Sequence, residues 1–231
     1  VLVGWADGRL CGFDTETTGA DRDTARIVTA TLVFVGAGKP TETIDFLIDP
    51  GVEIPAEATA IHGITTEQAR AGGRKPAEAI REIARRLATA WSDRIPVIGY
   101  NVSYDFTVLD RELRRHCGTA LTISGPVVDP HVIDRALDHR RGRRTLEETC
   151  RHYKVRHGGA HDAAEDALAA ARLAWRLARK YPAEVGDADL AKLYRDQIGW
   201  SRQWADKLTS YWRSQGQNKP ADGSWPLRPA A

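Results

Sequence analysis

Methionine is absent from this 231-residue chain and cysteine occurs only three times. No apolar run approaches the roughly 18 residues that a membrane span needs, and no secretory apolar core stands at the N-terminus. Cys11, Cys117 and Cys150 are widely and unevenly spaced, with no CxxC pair, which argues against a disulfide framework and against a structural zinc site. They read as small buried residues in a reducing compartment, so the expectation is a cytoplasmic protein without membrane contact. With Val1 at the head and no methionine, the initiator is expected to have been removed or to lie outside the sequence. A strong excess of one charge is also missing: 33 Lys and Arg against 31 Asp and Glu leave a formal net charge of +2. Bulk charge therefore identifies no partner.

Charge distribution says more. Between Arg135 and Arg156 there are eight Lys and Arg against three acids. Such a stretch suits a polyanion, or else it is a solvated helix face and loop.

The order of elements is α/β. Leu10 to Asp14, Ile27 to Val35 and Thr41 to Ile48 read as three strands of an antiparallel meander. Short helical pieces follow between Ile54 and Ala71, where Thr65 and Gln68 form a capping box. Pro76 sits at the first turn of a helix, and Ala77, Ile80, Ala84, Leu87 and Trp91 follow at helical spacing. Ile95 to Tyr100 is a short buried strand, and Ser103 caps the helix running to about His116. Val127-Val128-Asp129 is another strand, followed by a helix to about Leu137. Thr145 with Glu148 opens the next helix, and a long Ala-rich helix runs from Asp162 to Lys180. The expected division is a domain over 1–181, a helical extension over 182–215 and a loose, proline-bearing tail over 216–231. On the extension, Leu193, Gln197, Trp200, Trp204, Leu208 and Tyr211 recur on one side. Packing of these aromatics, against the main domain or a second copy, is weighed against stacking on nucleic acid.

Three stretches place acids in apolar settings: Phe13 to Gly19, Ile98 to Phe106 and His161 to Leu168. A buried carboxylate neutralises or finds a cation. Asp14 and Glu16, two apart on a strand, project to one face. Asp105 lies in the first turn of a helix, and Asp166 lies in the second turn of a helix that Asp162 caps. Small residues around it, Ala163, Ala167, Ala170 and Ala171, let that helix approach the sheet. Oxygen donors of this type favour Mg²⁺ or Mn²⁺. Two such ions about 4 Å apart clamp the attacking and leaving oxygens of a phosphoryl displacement. His161, in the loop before the helix, is placed to swing over the site and accept a proton from water.

These motifs resemble those of the DnaQ-like 3′–5′ exonucleases, in the subgroup with four acids and a histidine. Asp14-Thr15-Glu16-Thr17-Thr18-Gly19 is similar to the family's first motif, and Asn101-Val102-Ser103-Tyr104-Asp105 to its second. His161 to Asp166 is similar to the third, in the histidine variant, and Ile61-His62-Gly63-Ile64-Thr65 also matches a family stretch. The resemblance covers about residues 9–180. It implies a ribonuclease-H-like fold, a mixed five-stranded sheet flanked by helices. It implies that Asp14, Glu16, Asp105 and Asp166 hold two Mg²⁺ or Mn²⁺ ions, with His161 as general base. Thr15, Glu16 and Thr17 would sit at the terminal nucleotide, and Asn101 would support the phosphate or orient Asp105. His62 and Phe106 are either contacts to the terminal bases or, respectively, a turn residue and a core ring. The implied activity is release of nucleoside 5′-monophosphates from single-stranded 3′ ends, with DNA ranked ahead of RNA. Proofreading subunits of this family reach a polymerase through a C-terminal segment. No clamp-binding peptide is recognisable here, so a polymerase-docking subunit and a stand-alone exonuclease both stay open.

Overall fold

A computed structural model describes residues 4–159 and 162–230. Among them are five strands: β1 (Arg9–Thr17), β2 (Ile27–Gly36), β3 (Glu42–Leu47), β4 (Val97–Ile98) and β5 (Val127–Val128). Their order across the sheet is β3-β2-β1-β4-β5. The first three are antiparallel neighbours, whereas β4 and β5 run parallel to β1. The mixed five-stranded sheet expected from the sequence is therefore present. Parallel pairing needs crossovers, and helices supply them: α1 (Ala56–His62), α2 (Thr66–Gly72) and α3 (Pro76–Ser92) before β4, then α4 (Ser103–Cys117) before β5. After β5 come α5 (Pro130–Leu137), α6 (Leu146–Tyr153), α7 (Ala163–Lys180) and α8 (Leu190–Ser214).

Local chemistry sets most boundaries. Thr65 and Gln68, and likewise Thr145 and Glu148, form reciprocal capping boxes at α2 and α6. Asp162 caps α7 by accepting from the backbone N–H groups of Ala164 and Glu165. The expected Ser103 cap is not formed. Val102 holds the N-cap position of α4 without a side-chain bond, and Ser103 is already helical. The first turn of α4 is held from outside instead, by a carboxylate described below.

β1 is central and buried on both faces, so its apolar residues run together rather than alternate. On one side Cys11 and Phe13 join the core formed with α3 and α4, where Phe106 stacks on Phe13 at 5.7 Å between ring centres. On the other side Leu10 joins the core beneath α7. Cys11 and Cys150 are fully buried, and Cys117, at the end of α4, is half-buried. Among the described residues, no helix is long and apolar enough to cross a membrane.

The C-terminal residues are docked rather than loose. α8 is a single helix whose Leu193 and Gln197 are fully buried. Gln197 donates to the carbonyl of Val127 at 3.0 Å and accepts from the N–H of Asp129 at 2.7 Å, which sews α8 to the β5 edge. Beyond it, Trp225 is only 6% exposed, and the N–H of Arg228 donates to Thr107 Oγ1 at 3.2 Å. The buried Trp225 ring and this backbone bond tie the proline-bearing segment to the domain.

Candidate active site

The strand period places the acids. Gly12, Asp14 and Glu16 share the face of β1 that looks toward α7, and Thr15 looks the other way. Gly12 lets α7 lie directly on the sheet. A Cβ at this position would stand 2.3 Å from the carbonyl oxygen of Ala167. Asp166, one residue earlier on α7, is thereby brought down beside the strand. Carboxylate oxygens of Asp14, Glu16 and Asp166 all lie within 4.8 Å of one another.

Asp105 reaches the same strand end from α4, on the opposite face. Its Oδ1 accepts from Thr15 N at 3.1 Å and from Thr15 Oγ1 at 2.6 Å. Thr15, expected at the substrate, thus orients an acid. The site lies at the carboxyl ends of β1 and β4, where open α/β sheets leave a crevice.

Crowding raises the affinity of these groups for protons. Burial, followed by the charges of Asp105, Glu16 and Asp166, holds Asp14 well above the usual carboxylate range. Glu16 is pushed up to about 8, by burial first and then by Asp166, Asp105 and Asp162. Burial also lifts Asp105 to about 7, against the lowering effect of its bonds from Thr15. Among the described residues, no Lys or Arg forms an ion pair with Asp14, Glu16 or Asp105. A set of carboxylates without a protein cation, all offering hard oxygens, fits divalent Mg²⁺ or Mn²⁺.

Neighbouring groups fix this arrangement. His157 Nε2 meets Asp166 Oδ1 at 2.5 Å from the loop before α7. Asp129, at the end of β5, accepts from the N–H groups of Asn101 at 2.9 Å and Val102 at 3.1 Å, and also from Trp225 Nε1 at 3.2 Å. It therefore holds the turn that launches α4 and Asp105. Within that turn Asn101 adopts φ +59°. Sequence reasoning missed both His157 and Asp129 as site-building residues. An Asp directly before Pro130 at a strand end was the available signal for Asp129; no sequence signal marked His157.

The remaining candidates separate. His161 lies outside the described residues. Thr17 Oγ1 bonds the Tyr104 hydroxyl at 2.6 Å, and that hydroxyl also donates to the carbonyl of Gly19. His62 Nδ1 accepts from the N–H of Ile64 at 3.2 Å and shares a cleft of about 520 Å³ with Thr15, Glu16, Thr17 and Tyr104. That volume suits a nucleotide. Asn101 is exposed at the mouth of a neighbouring hollow. Phe106 is not available to a base: it is fully buried between Phe13 and Trp91, so the core alternative holds.

Comparison with known proteins agrees with this geometry. Residues 11–174 match the family model RNase_T, described as exonuclease. The PolC-type DNA polymerase III of Lacticaseibacillus paracasei is 27% identical over 187 residues, covering 81% of this chain and 12% of that protein. A DNA polymerase III subunit epsilon-like protein of Rhodobacter capsulatus is 31% identical over 156 residues, covering 61% of this chain and 21% of that protein. The chain thus spans under a quarter of the length of these relatives. Among solved structures, E. coli exonuclease I in complex with a dA16 oligonucleotide superposes with a TM-score of 0.62 at 21% identity. It covers 88% of this chain and 45% of that one. The matched span takes in Asp14, Glu16, Asp105 and Asp166 together, and the chain belongs to the RNase_T exonuclease family, with DnaQ-like relatives.

Proposed function

We propose that this protein is a metal-dependent 3′–5′ exonuclease that releases nucleoside 5′-monophosphates from single-stranded ends, DNA in preference to RNA. The observation carrying this reading is the convergence of Asp14, Glu16 and Asp166 within 4.8 Å, beside a nucleotide-sized cleft. Asp14, Glu16, Asp105 and Asp166 would hold two Mg²⁺ or Mn²⁺ ions. When bound, such a pair supplies positive charge to the attacking and departing oxygens of the phosphodiester.

The protein's own groups do the rest. Thr15 aims Asp105, and His157 braces Asp166. Thr17 and Tyr104, fastened to each other, wall the cleft in which the terminal nucleoside sits. His161, one residue before the Asp162 cap, takes the proton from the attacking water, the role its position in the third motif implies. The names of the relatives support a DNA substrate and a setting alongside a polymerase.

The test is hydrolysis of matched DNA and RNA strands, labelled at either end, with Mg²⁺, Mn²⁺ or EDTA. Shortening from the 3′ end, with Asp14→Ala and His161→Ala each losing on the order of a thousandfold in rate, is the expected result. Full activity in both variants would remove the reading.

A further inference from the structure

The basic stretch after α5 divides into two sets. Arg140 and Arg144 turn inward on the fully buried Asp134, with Arg144 Nη1 2.6 Å from its Oδ2. Their charge is consumed by the fold. Arg135 is different. Its guanidinium stacks 3.5 Å from the centre of the Trp204 ring, and among the described residues no carboxylate pairs with it. Burial and then Arg144 push its pKa down to about 10. Arg143 is exposed and likewise forms no ion pair among the described residues.

Two hollows meet at this point, sharing His131, Arg135 and Trp204. The wider, about 560 Å³, continues along Arg143 and Thr145. The narrower, about 120 Å³, leads toward Asn101, Arg22 and Arg228. Arg228 is neutralised by Asp222 at 2.5 Å, and the Asp129 carboxylate is occupied by N–H donors. Arg22 is left, with its guanidinium 5.6 Å from the centre of the Tyr104 ring. Tyr104 is also a wall of the nucleotide-sized cleft beside the acids. Among the described residues, cations without a carboxylate partner therefore continue from beside that cleft, along α5, to the loop after it, with an indole among them.

We propose that Arg22, Arg135 and Arg143, together with the Trp204 ring, bind the backbone phosphates and a base of a single strand upstream of its 3′-terminal nucleotide. Guanidinium groups match phosphate oxygens, and an aromatic face accepts any base. The direction of the strand rests on the exonuclease reading; the binding surface itself does not.

Binding is measured in EDTA, by fluorescence anisotropy, with labelled single strands of about twenty and about four nucleotides. Wild type is expected to prefer the longer strand. The Arg135→Ala, Arg143→Ala double variant is expected to bind that strand about tenfold more weakly, and each lost arginine flattens the slope of log K against log salt by about 0.7. Arg143→Glu, at an exposed position, is expected to weaken binding at an unchanged melting temperature. Equal affinity and equal salt slope in all three proteins would overturn the surface, as would a wild type that binds neither strand. A wild type that binds through these arginines but leaves the strand intact in Mg²⁺ would keep the surface and remove the nuclease reading. One that degrades the strand with no dependence on them would do the reverse.

Discussion

Glu16 connects stability, pH and metal at a single side chain. Its folded pKa of about 8 lies above the ordinary 4.5, so the metal-free fold holds this proton more tightly than the unfolded chain does. Its contribution is fully present below the ordinary value and is lost as pH rises through 8. His131 acts in the opposite sense, because burial lowers it to about 3 from an ordinary 6.5, but its effect no longer changes above 6.5. Melting temperature in EDTA is therefore expected to fall between pH 6.5 and 8, and Mg²⁺ is expected to offset the fall. Asp105 and Glu112, both lifted to about 7 by burial, titrate in the same window. The informative comparison is thus wild type with Glu16→Gln, whose slope should be shallower; parallel slopes would contradict the assignment. The acid pair was legible in the sequence because a two-residue strand period is local. Phe106 was not. An aromatic directly after Asp105 in the first turn of α4 satisfies a core and a base-stacking role equally well, and only the neighbours Phe13 and Trp91 decide.

At the scale of elements, the contact of α7 with β1 decides whether Asp166 reaches its partners. Gly12→Ala would drive a methyl group into the Ala167 carbonyl, and backbone on backbone cannot yield as a side-chain tip can. A loss of about 1–3 kcal/mol is expected in denaturant unfolding. Activity should fall further than that stability loss explains, since α7 must lift and carry Asp166 with it. Unaltered turnover in a folded Gly12→Ala protein would show that the approach is not needed. The small residues on α7 announced a close contact, but nothing in the sequence paired them with Gly12. Caps behaved differently: Thr65, Thr145 and Asp162 were readable because each bond spans two or three residues. The start of α4 was misread for the converse reason, since Asp129, which holds it, is 27 residues from Val102.

For the whole molecule, composition alone separated residues 182–231 from the rest, whereas packing joins them. α8 and Trp225 cover the β5 edge, and Arg111 Nη2 donates to the carbonyl of Pro229 at 2.8 Å. Truncation after Tyr181 would uncover Val127 and Val128 and remove Gln197 and Trp225, two of the partners of Asp129. The truncated chain is expected to melt well below the full one and to lose nuclease activity with it. An unchanged melting curve would instead support an independent domain over 1–181. Strand order was beyond the sequence for the same physical reason as the docking of the tail: both are settled by pairings far apart in the chain.

The three cysteines make the molecule convenient to watch. Cys11 and Cys150 are sealed in the two cores, and burial pushes the Cys150 thiol up to about 12, so neither presents a nucleophile. Cys117 is half-buried at the far end of α4, its sulfur 3.7 Å from the carbonyl of Ala77. A maleimide dye applied to the native protein should therefore attach once, at Cys117, giving a fluorescent reporter of α4 without any engineered residue.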